Sequence, residues 1–367
     1  MAEYYTSGIS RSRTRRKRRS GRSLWLVMLD ALMCVLMAVL VAASLVAIIC
    51  QYITPAKVGI LSVVALVAPV LYLFDIVILL YWVIRWRWVS VAVMAVVVFV
   101  CTLYSPRYYV TDVMRDYNTK YIERHYTKIL TYNIQGDFSD EILSQVKDIR
   151  ADVVCFQEAA DYDGNWAVYT EPYKTTYNGS DRYGCQIVTR HRILRHGQVG
   201  ALPRQNGVWA DLRIGDDTIR VVNLHLKSTS IRAEDTKFLE HHEYILDNER
   251  KSKLGSIVSR LTENNVARAE QAEMVADFLE STPYDIIVCG DFNDVPLSYT
   301  YNTIRGDLQD AFVEGGDGYA YTYNTAYRLL RIDNIFLTPS MEVVSYEVDN
   351  EQSLSDHFPV VVRAKRR

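Results

Sequence analysis

The sequence predicts an N-terminal all-α segment of three transmembrane helices, followed by a layered domain of the α/β or α+β class. Three apolar stretches fill the first hundred of 367 residues, and short β-branched runs alternate with helical patterns after them. The charge changes at the same point. Residues 1–106 carry 11 Lys and Arg against three acidic residues, whereas residues 107–367 carry 30 basic and 40 acidic residues. With 49% hydrophobic residues, the chain is neither disordered nor fibrous.

A basic tail is predicted over residues 1–23. Eight Lys or Arg residues fall in the twelve positions RSRTRRKRRSGR, residues 11–22, and such a run repels itself and cannot form a core. Basic segments beside a membrane span stay in the cytoplasm, so we expect a cytoplasmic tail. Nucleic-acid binding is the alternative role of this tail, and attraction to anionic lipids is the simpler one.

Residues 24–105 are predicted to form the three transmembrane helices. The apolar stretches run from Leu24 to Ile53, from Val58 to Ile84 and from Val89 to Leu103. About 20 apolar residues suffice for a helix to span a bilayer. Three crossings from a cytoplasmic start place the rest of the chain on the non-cytoplasmic side of an inner or plasma membrane. A cleaved signal peptide is the alternative, but the first stretch is too long for one.

Residues 106–126 are predicted to be a linker, and residues 127–367 a second domain. Helical spacing appears in Asp140–Arg150 and from Ala233 to Leu279. Strands interleaved with helices predict a layered core. The predicted strands are the β-branched runs KILTYNI, ADVVCFQE, YGCQIVTR, VWADLRI, TIRVVNLHL, YDIIVCGDFN, RIDNIFL and HFPVVVRA.

Polar side chains fall at the ends of these predicted strands. Strand ends that meet at one edge of a sheet form a common cleft. Carboxylates at short range raise each other's pKa, so several of them in one cleft require a cation. Oxygen ligands without a thiolate cluster indicate a hard metal, Mg²⁺ or Mn²⁺. The candidate residues are Asn133, Glu158, His225, Asp291, Asn293, Asp333, Asp356 and His357.

Two of these candidates, His225 and His357, add acid–base capacity near neutral pH. A hard cation and hydrogen-bond donors stabilise the oxygens of a phosphoryl group during attack by water. The residue types therefore predict hydrolysis of a phosphoester.

Six motifs carry a family resemblance: TYNIQG, VVCFQE, VVNLHLKS, CGDFND, RIDNIFL and SDHFPV. In this order and spacing they resemble the endonuclease/exonuclease/phosphatase superfamily, which has the deoxyribonuclease I-like fold. The resemblance covers about residues 126–363 and excludes the apolar segment. It implies a four-layer sandwich of two central mixed β-sheets flanked by helices, and Mg²⁺-dependent hydrolysis of a phosphoester.

The resemblance also implies a metal site. Glu158 matches the metal-binding glutamate of the family, Asn133 its first-strand asparagine, and Asp356 a carboxylate that faces the metal in several members. One departure is Gln135, which stands where some members have an acidic residue. A second ion therefore lacks a charged ligand at that position.

Catalytic roles follow from the same resemblance. Asp291 matches the carboxylate that orients or deprotonates the attacking water, and Asn293 an amide donor to a phosphate oxygen. His225 matches a histidine on the leaving-group or phosphate side. Asp333 matches the carboxylate that hydrogen-bonds the last histidine and fixes its tautomer, as in other Asp–His pairs. His357 is that histidine, and it acts as base or as phosphate-binding imidazolium.

Three further positions stay open. Arg268 and Gln271, in NNVARAEQAE, resemble a helix motif common in the family, and they either take part in function or only hold that helix in place. Asp181 is a candidate partner for His225, but the local match is too loose to include it in the site.

The predicted function is a membrane-anchored, Mg²⁺-dependent phosphoesterase that acts on a phospholipid headgroup or a small phosphorylated solute. The acidic domain would repel a long polyanion. One alternative is a membrane-anchored nuclease acting on DNA or RNA, since a local basic groove suffices for phosphate contacts. The other is a non-catalytic membrane scaffold. Fold and motifs do not choose among substrates, and we expect the overhanging segment Ser228–Val266 to do so.

The expected partners are the lipid bilayer and a phosphorylated substrate, with nucleic acid as the alternative substrate. The sequence identifies no protein partner.

Overall fold

A computed structural model describes residues 24–111, 126–136, 138–160, 169, 171–173, 183–229, 247–324, 328–351 and 353–367. The predicted basic tail, most of the predicted linker, Asp181 and residues 230–246 of the predicted specificity segment lie outside the described residues.

The N-terminal helices are α1 (Leu24–Ile49), α2 (Gly59–Ala65), α3 (Ala68–Ile84) and α4 (Trp88–Tyr104). Within the described residues, two helical stretches are long and apolar enough to cross a membrane, Leu24–Tyr52 and Trp88–Arg107. The prediction of three such helices is wrong, because the second apolar stretch is divided between α2 and the 17-residue α3. Pro69 lies in the first turn of α3. Since proline has no N–H to donate to the preceding turn, the helix starts anew there.

Helices α1, α3 and α4 pack side by side as a bundle. Near the start of α1, Asp30 accepts hydrogen bonds from Arg85, just after α3, at 2.8 and 3.0 Å. Farther along α1, the Ser44 hydroxyl donates to Asp75 Oδ2 at 2.6 Å. These contacts show that α3 runs antiparallel to α1 along most of its length.

The rest of the chain forms the α/β domain. Its helices are α5 (Asp140–Ile149), α6 (Asp247–Glu280), α7 (Tyr299–Arg305) and α8 (Ala311–Gly315). The described strands are β1 (Tyr109–Val110), β2 (Thr127–Gly136), β3 (Val153–Ala159), β4 (Glu171–Tyr173), β5 (Gly184–Thr189), β6 (Arg192–Gln198), β7 (Gly207–Ile214), β8 (Asp217–His225), β9 (Asp285–Asp291), β10 (Gln309–Asp310), β11 (Gly318–Tyr319), β12 (Asp333–Leu337), β13 (Met341–Val348) and β14 (Val360–Arg366).

Two six-stranded sheets form the centre of the domain, in the orders β10-β12-β9-β8-β7-β6 and β13-β14-β2-β3-β5-β4. Both are mixed, because β8–β9 and β2–β3 are parallel and the other neighbours are antiparallel. Side chains such as Ile129 and Val221 fill the core between the sheets. Helices α6 and α7 cover the outer face of the first sheet, and α5 covers the second. The predicted four-layer sandwich is confirmed.

Candidate active site

The candidate site lies where the parallel strands of both sheets end. His225, the last residue of β8, is directly opposite Asp291, the last residue of β9. Asp333 begins β12, which runs antiparallel to β9, and it is also opposite Asp291. Asn133 and Glu158 come from the carboxyl-terminal parts of β2 and β3 in the facing sheet. The register therefore gathers these side chains at one edge of the sandwich.

Asp291 is the centre of the site and is 1% exposed. Its Oδ2 accepts hydrogen bonds from the side-chain amides of Asn133 at 3.1 Å and Asn293 at 3.0 Å. Its Oδ1 accepts one from the backbone N–H of Asn293 at 2.8 Å. Three donors thus fix the orientation of this carboxylate.

Gly290 permits the close approach of strands that places Asp291. Its φ is +141°, a conformation that residues with a side chain rarely adopt. A Cβ at this position would lie 2.0 Å from the carbonyl oxygen of Leu224 on β8. The glycine of the CGDFND motif is therefore required by the backbone.

Glu158 stands on an irregularity of β3. Its φ is +47°, and the pairing of β3 with β5 shifts register beside it, as at a β-bulge. Its side chain is 37% exposed, and Oε1 lies 3.3 Å from Nε2 of His225. This contact lowers the pKa of Glu158. Burial alone would lower the pKa of His225, but Glu158 and Asp291 outweigh it and raise that pKa.

His357 and Asp333 form a buried pair. Nδ1 of His357 lies 2.8 Å from Asp333 Oδ2, and its Nε2 lies 3.7 Å from Asp291 Oδ2. Burial opposes a charge on His357, but Asp333 and Asp291 raise its pKa to about 10. The ring of Tyr323 lies against the imidazole, with the two ring centres 4.9 Å apart. His357 is accordingly an imidazolium at neutral pH that directs Nε2 into the site.

Asp356 is half-buried beside this pair and accepts a hydrogen bond from the Ser355 hydroxyl at 3.3 Å. Burial is the main cause that raises the pKa of Asp356. The charge of His357 opposes this rise, and the negative charges of Glu158 and Asp291 add to it.

The donor set fits a hard divalent cation. Asp291, Asp333 and His357 each offer a donor atom within 4.8 Å of one another, but Nδ1 of His357 and Oδ2 of Asp333 already contact each other at 2.8 Å. Glu158 and Asp356 offer carboxylates that are partly exposed, and the pKa of Asp356 is raised in part by the charge of Glu158. A cation between these two would relieve that repulsion. Asn133 faces the carboxylates with its amide nitrogen, because its oxygen accepts from the Gln135 N–H, so its role as a ligand stays a prediction.

Arg268 and Gln271, both in α6, contact the segments that adjoin the site. Arg268 is 1% exposed and donates to Asp294 Oδ2 at 3.2 Å and to the Lys227 carbonyl at 2.6 Å. Gln271 Oε1 accepts from the Lys227 N–H at 2.7 Å. Both residues of α6 therefore support the segments that follow His225 and Asn293. Tyr323 is a site neighbour that no motif signalled.

Comparison with known proteins follows the same division of the chain. A model of the Endonuclease/Exonuclease/phosphatase family matches residues 130–357, more than half of the chain, and a domain of unknown function (DUF8431) matches residues 30–108. No curated protein matches.

Similar solved structures cover the α/β domain. One is D. rerio TDP2 complexed with single strand DNA product, at 15% identity over 65% of this chain and 99% of that chain, with a TM-score of 0.48. Another is the human Nocturnin catalytic domain with bound sulfate anion, at 15% identity over 66% and 95%, with a TM-score of 0.45. A Bacteroides thetaiotaomicron endonuclease/exonuclease/phosphatase family protein shares 17% identity over 66% and 95%, with a TM-score of 0.43.

Proposed function

The chain belongs to the endonuclease/exonuclease/phosphatase family, whose members are metal-dependent hydrolases of phosphoesters, and from this premise we propose that it is a membrane-anchored, Mg²⁺-dependent phosphoesterase. It hydrolyses a phosphodiester or phosphomonoester of a phospholipid headgroup or a small phosphorylated solute. The observation that carries the proposal is the convergence of Glu158, His225 and His357 on Asp291, with separations of 3.3 to 3.9 Å between neighbours.

Asp291 receives the proton of the attacking water. Three N–H donors hold its carboxylate in place, so the carboxylate spends no energy on reorientation when the water arrives. Asn293 lies beside it, and its two amide hydrogens point to Asp291 Oδ2 and to the Leu226 carbonyl, so it donates to a phosphate oxygen in place of one of these contacts. Placement of these groups before the substrate binds is what makes the attack efficient.

His357 stabilises negative charge on the phosphoryl oxygens. Asp333 holds its Nδ1 at 2.8 Å and so keeps Nε2 directed into the site as a charged donor. His225 lies on the other side of Asp291, with Nε2 3.9 Å from Asp291 Oδ2, and takes the leaving-group side. Glu158 and Asp356 would hold Mg²⁺ or Mn²⁺, which when bound neutralises phosphate charge and acidifies a coordinated water.

Anchorage in a membrane is supported by the surface of the helical bundle. All three packed helices expose large apolar side chains, among them Val39 at 61%, Leu73 at 65% and Phe99 at 65%. Apolar surface on this scale is unfavourable in water and favourable in lipid. Because α3 lies alongside α1 and is antiparallel to it, the chain returns to the end of the bundle that carries Asp30 before α4 begins.

The orientation is supported by the two ends of the bundle. Asp30, Arg85 and Arg87 lie at the end where the basic tail joins, and basic residues favour the cytoplasmic side. The α/β domain contacts the opposite end, through Cys50 and Arg107. We therefore propose that the domain lies on the non-cytoplasmic side. A reporter that functions only in the cytoplasm can be fused after Arg367. Activity of this reporter would contradict the proposed orientation.

A substrate at the membrane surface is supported by Tyr323, whose ring contacts His357 and which also packs against the apolar cluster formed by Cys50 and Leu297. The cleft is thus adjacent to the membrane end of the domain. The excess of acidic over basic residues in the domain disfavours a long polyanion.

The test is hydrolysis by the full-length protein in lipid nanodiscs, with Mg²⁺ or with EDTA. The panel contains phospholipids, phosphorylated small molecules, plasmid DNA and RNA. Glu158→Ala and His357→Ala remove proposed site groups, and Asp216→Asn in an exposed turn is the control. Turnover of lipids or small phosphoesters that both site variants abolish supports the proposal. Cleavage of nucleic acid alone indicates the nuclease, and no metal-dependent turnover at all indicates the scaffold.

A further inference from the structure

The N-terminal helical segment packs directly against the α/β domain. The contact lies next to the residues that follow Asn293 of the candidate site. Buried apolar residues from both parts form one cluster, which we call the anchor interface. Its fully buried members are Ala47, Cys50, Ala65 and Ala68 from the helical segment and Tyr108, Val295, Leu297 and Ile332 from the α/β domain.

Polar contacts fix the segment Asp294–Leu297, which follows Asn293 directly, against this interface. Arg107 donates one hydrogen bond to Gln51 Oε1 at 2.9 Å and another to the Pro296 carbonyl at 3.1 Å. The Cys50 thiol lies 3.6 Å from the Leu297 carbonyl. The segment that follows Asn293 is therefore held by Cys50, which comes after α1, and by Arg107, which comes after α4.

A chain of hydrogen bonds also links α2 to the site through α6. The Asn265 amide donates to the Ser62 hydroxyl, and Arg268 in turn donates to Asn265 Oδ1. Arg268 then donates to Asp294 Oδ2 at 3.2 Å and to the Lys227 carbonyl at 2.6 Å. Asn265, Arg268 and Asp294 are each less than 9% exposed. Asn265, Arg268 and Asp294 cannot separate without breaking a buried hydrogen bond.

We infer that the docked α2 is a positioning element of the active site, acting through Asn265 and Arg268. Arg268 sets the segments that follow His225 and Asn293, and these segments orient the groups around Asp291. Displacement of α2 from α6 therefore slows the chemical step, although α2 touches neither substrate nor metal. The inference rests on the proposed function, because it concerns the rate of that hydrolysis.

A close contact between α2 and α6 offers a site for a small substitution. A Cβ at Gly59, in α2, would lie 2.2 Å from Thr262 Cγ2, in α6, but 3.5 Å from Thr262 Cβ and 3.8 Å from its Oγ1. The φ of Gly59 is outside the left-handed region, so alanine meets no backbone strain there. Gly59→Ala thus places a methyl group against Thr262 Cγ2, so the packing of α2 on α6 must shift at this contact, and Thr262→Ser removes the opposing methyl group.

The experiment measures kcat and KM of the full-length protein in nanodiscs with Mg²⁺ and bis(p-nitrophenyl) phosphate. We expect Gly59→Ala to lower kcat by about 3- to 30-fold, the range of coupling through packed networks, with KM nearly unchanged. Thr262→Ser alone stays near wild type, and the double variant recovers most of the lost kcat. Thr102→Ala, exposed on α4, is the control within the same helical segment.

Three results separate the explanations. A purely structural role for α2 lowers the melting temperature of Gly59→Ala but leaves kcat at 25 °C unchanged, which overturns the inference. A loss of kcat that Thr262→Ser does not restore also overturns it. If Gly59→Ala does not fold, Ser62→Ala takes its place, and wild-type kcat in a folded Ser62→Ala protein has the same meaning. Absence of hydrolysis in the wild type contradicts the proposed function instead.

Discussion

Asp333→Asn tests whether the buried pair with His357 serves catalysis. The change replaces a carboxylate by an amide of the same shape, so it leaves no cavity at a residue that is 1% exposed. It removes the negative charge 2.8 Å from Nδ1 of His357. Asp333 Oδ1 is buried and has no hydrogen-bond partner in the described structure. An amide nitrogen at this position would therefore also lack a partner.

The magnitude follows from the kind of hydrogen bond that is lost. A charge-assisted hydrogen bond contributes about 1.5–3 kcal/mol and a neutral one about 1 kcal/mol. The charged imidazole is therefore less stable by about 0.5–2 kcal/mol, which lowers the ratio of charged to neutral His357 by about 2- to 30-fold. Because Asp333 and Asp291 together hold the pKa of His357 at about 10, removal of Asp333 lowers this pKa. His357 stays mostly charged at pH 7 after a change of this size, so the expected fall in kcat of about 10²- to 10⁴-fold at this pH comes from loss of the fixed ring orientation.

The assay is the pH profile of kcat for full-length wild type and Asp333→Asn in the presence of Mg²⁺, with Asp216→Asn in an exposed turn as the control for loss of one carboxylate. The alkaline limb of the profile should move to lower pH in Asp333→Asn and stay in place in the control. A kcat within threefold of wild type, with an unmoved alkaline limb, would refute the role of this pair.

Three further predictions concern metal, backbone and pH. Glu158→Gln lowers kcat at least about 100-fold and weakens Mg²⁺ binding in isothermal titration calorimetry, and wild-type affinity would show that Glu158 is not a ligand. Gly290→Ala lowers the free energy of unfolding by about 3 kcal/mol in urea titrations, because of the positive φ and the 2.0 Å approach to Leu224, and a loss below about 1 kcal/mol would contradict that geometry. The pKa of His357 in the folded, metal-free protein is raised from 6.5 to about 10, so its contribution to stability is complete below pH 6.5 and is lost as pH rises through about 10. The difference in the free energy of urea unfolding between wild type and His357→Gln, measured across this pH range, gives the contribution. A difference that does not change with pH would exclude it.

The layered fold was predictable because its central strands are buried on both faces. Runs such as VVCFQE and IIVCGD are nearly continuous in apolar residues, and they form β3 and β9. Strand β6 was missed because its sequence RILRHGQ is mostly exposed at the edge of a sheet and lacks this pattern. The second apolar stretch was mispredicted as one span because apolar composition does not show whether a helix continues, whereas Pro69 does.

The residue types of the candidate site could be inferred from their positions at strand ends, but the geometry around them could not. Glu158 owes its direction to a positive φ on an irregular strand, which no residue preference indicates for glutamate. The partners of His225 are Glu158 and Asp291, which the parallel pairing of β8 with β9 and the facing of the two sheets bring near. Contacts of this kind depend on packing between segments that are far apart in sequence.

The short motif RIDN shows why the helical segment and the site cannot be treated as separate modules. Arg331 donates to the Arg107 carbonyl at 3.0 Å, Ile332 is buried in the anchor interface, and Asp333 holds His357 at 2.8 Å. Three consecutive residues thus contact the end of the helical bundle, the anchor interface and His357. Because these three residues are consecutive and buried, a shift of the bundle at Arg331 acts two residues from the carboxylate that holds His357. A fragment that begins at Arg107 keeps the partner of Arg331 but lacks the helical residues of the anchor interface that pack with Ile332, so we expect activity measured on it to be lower than that of the whole chain.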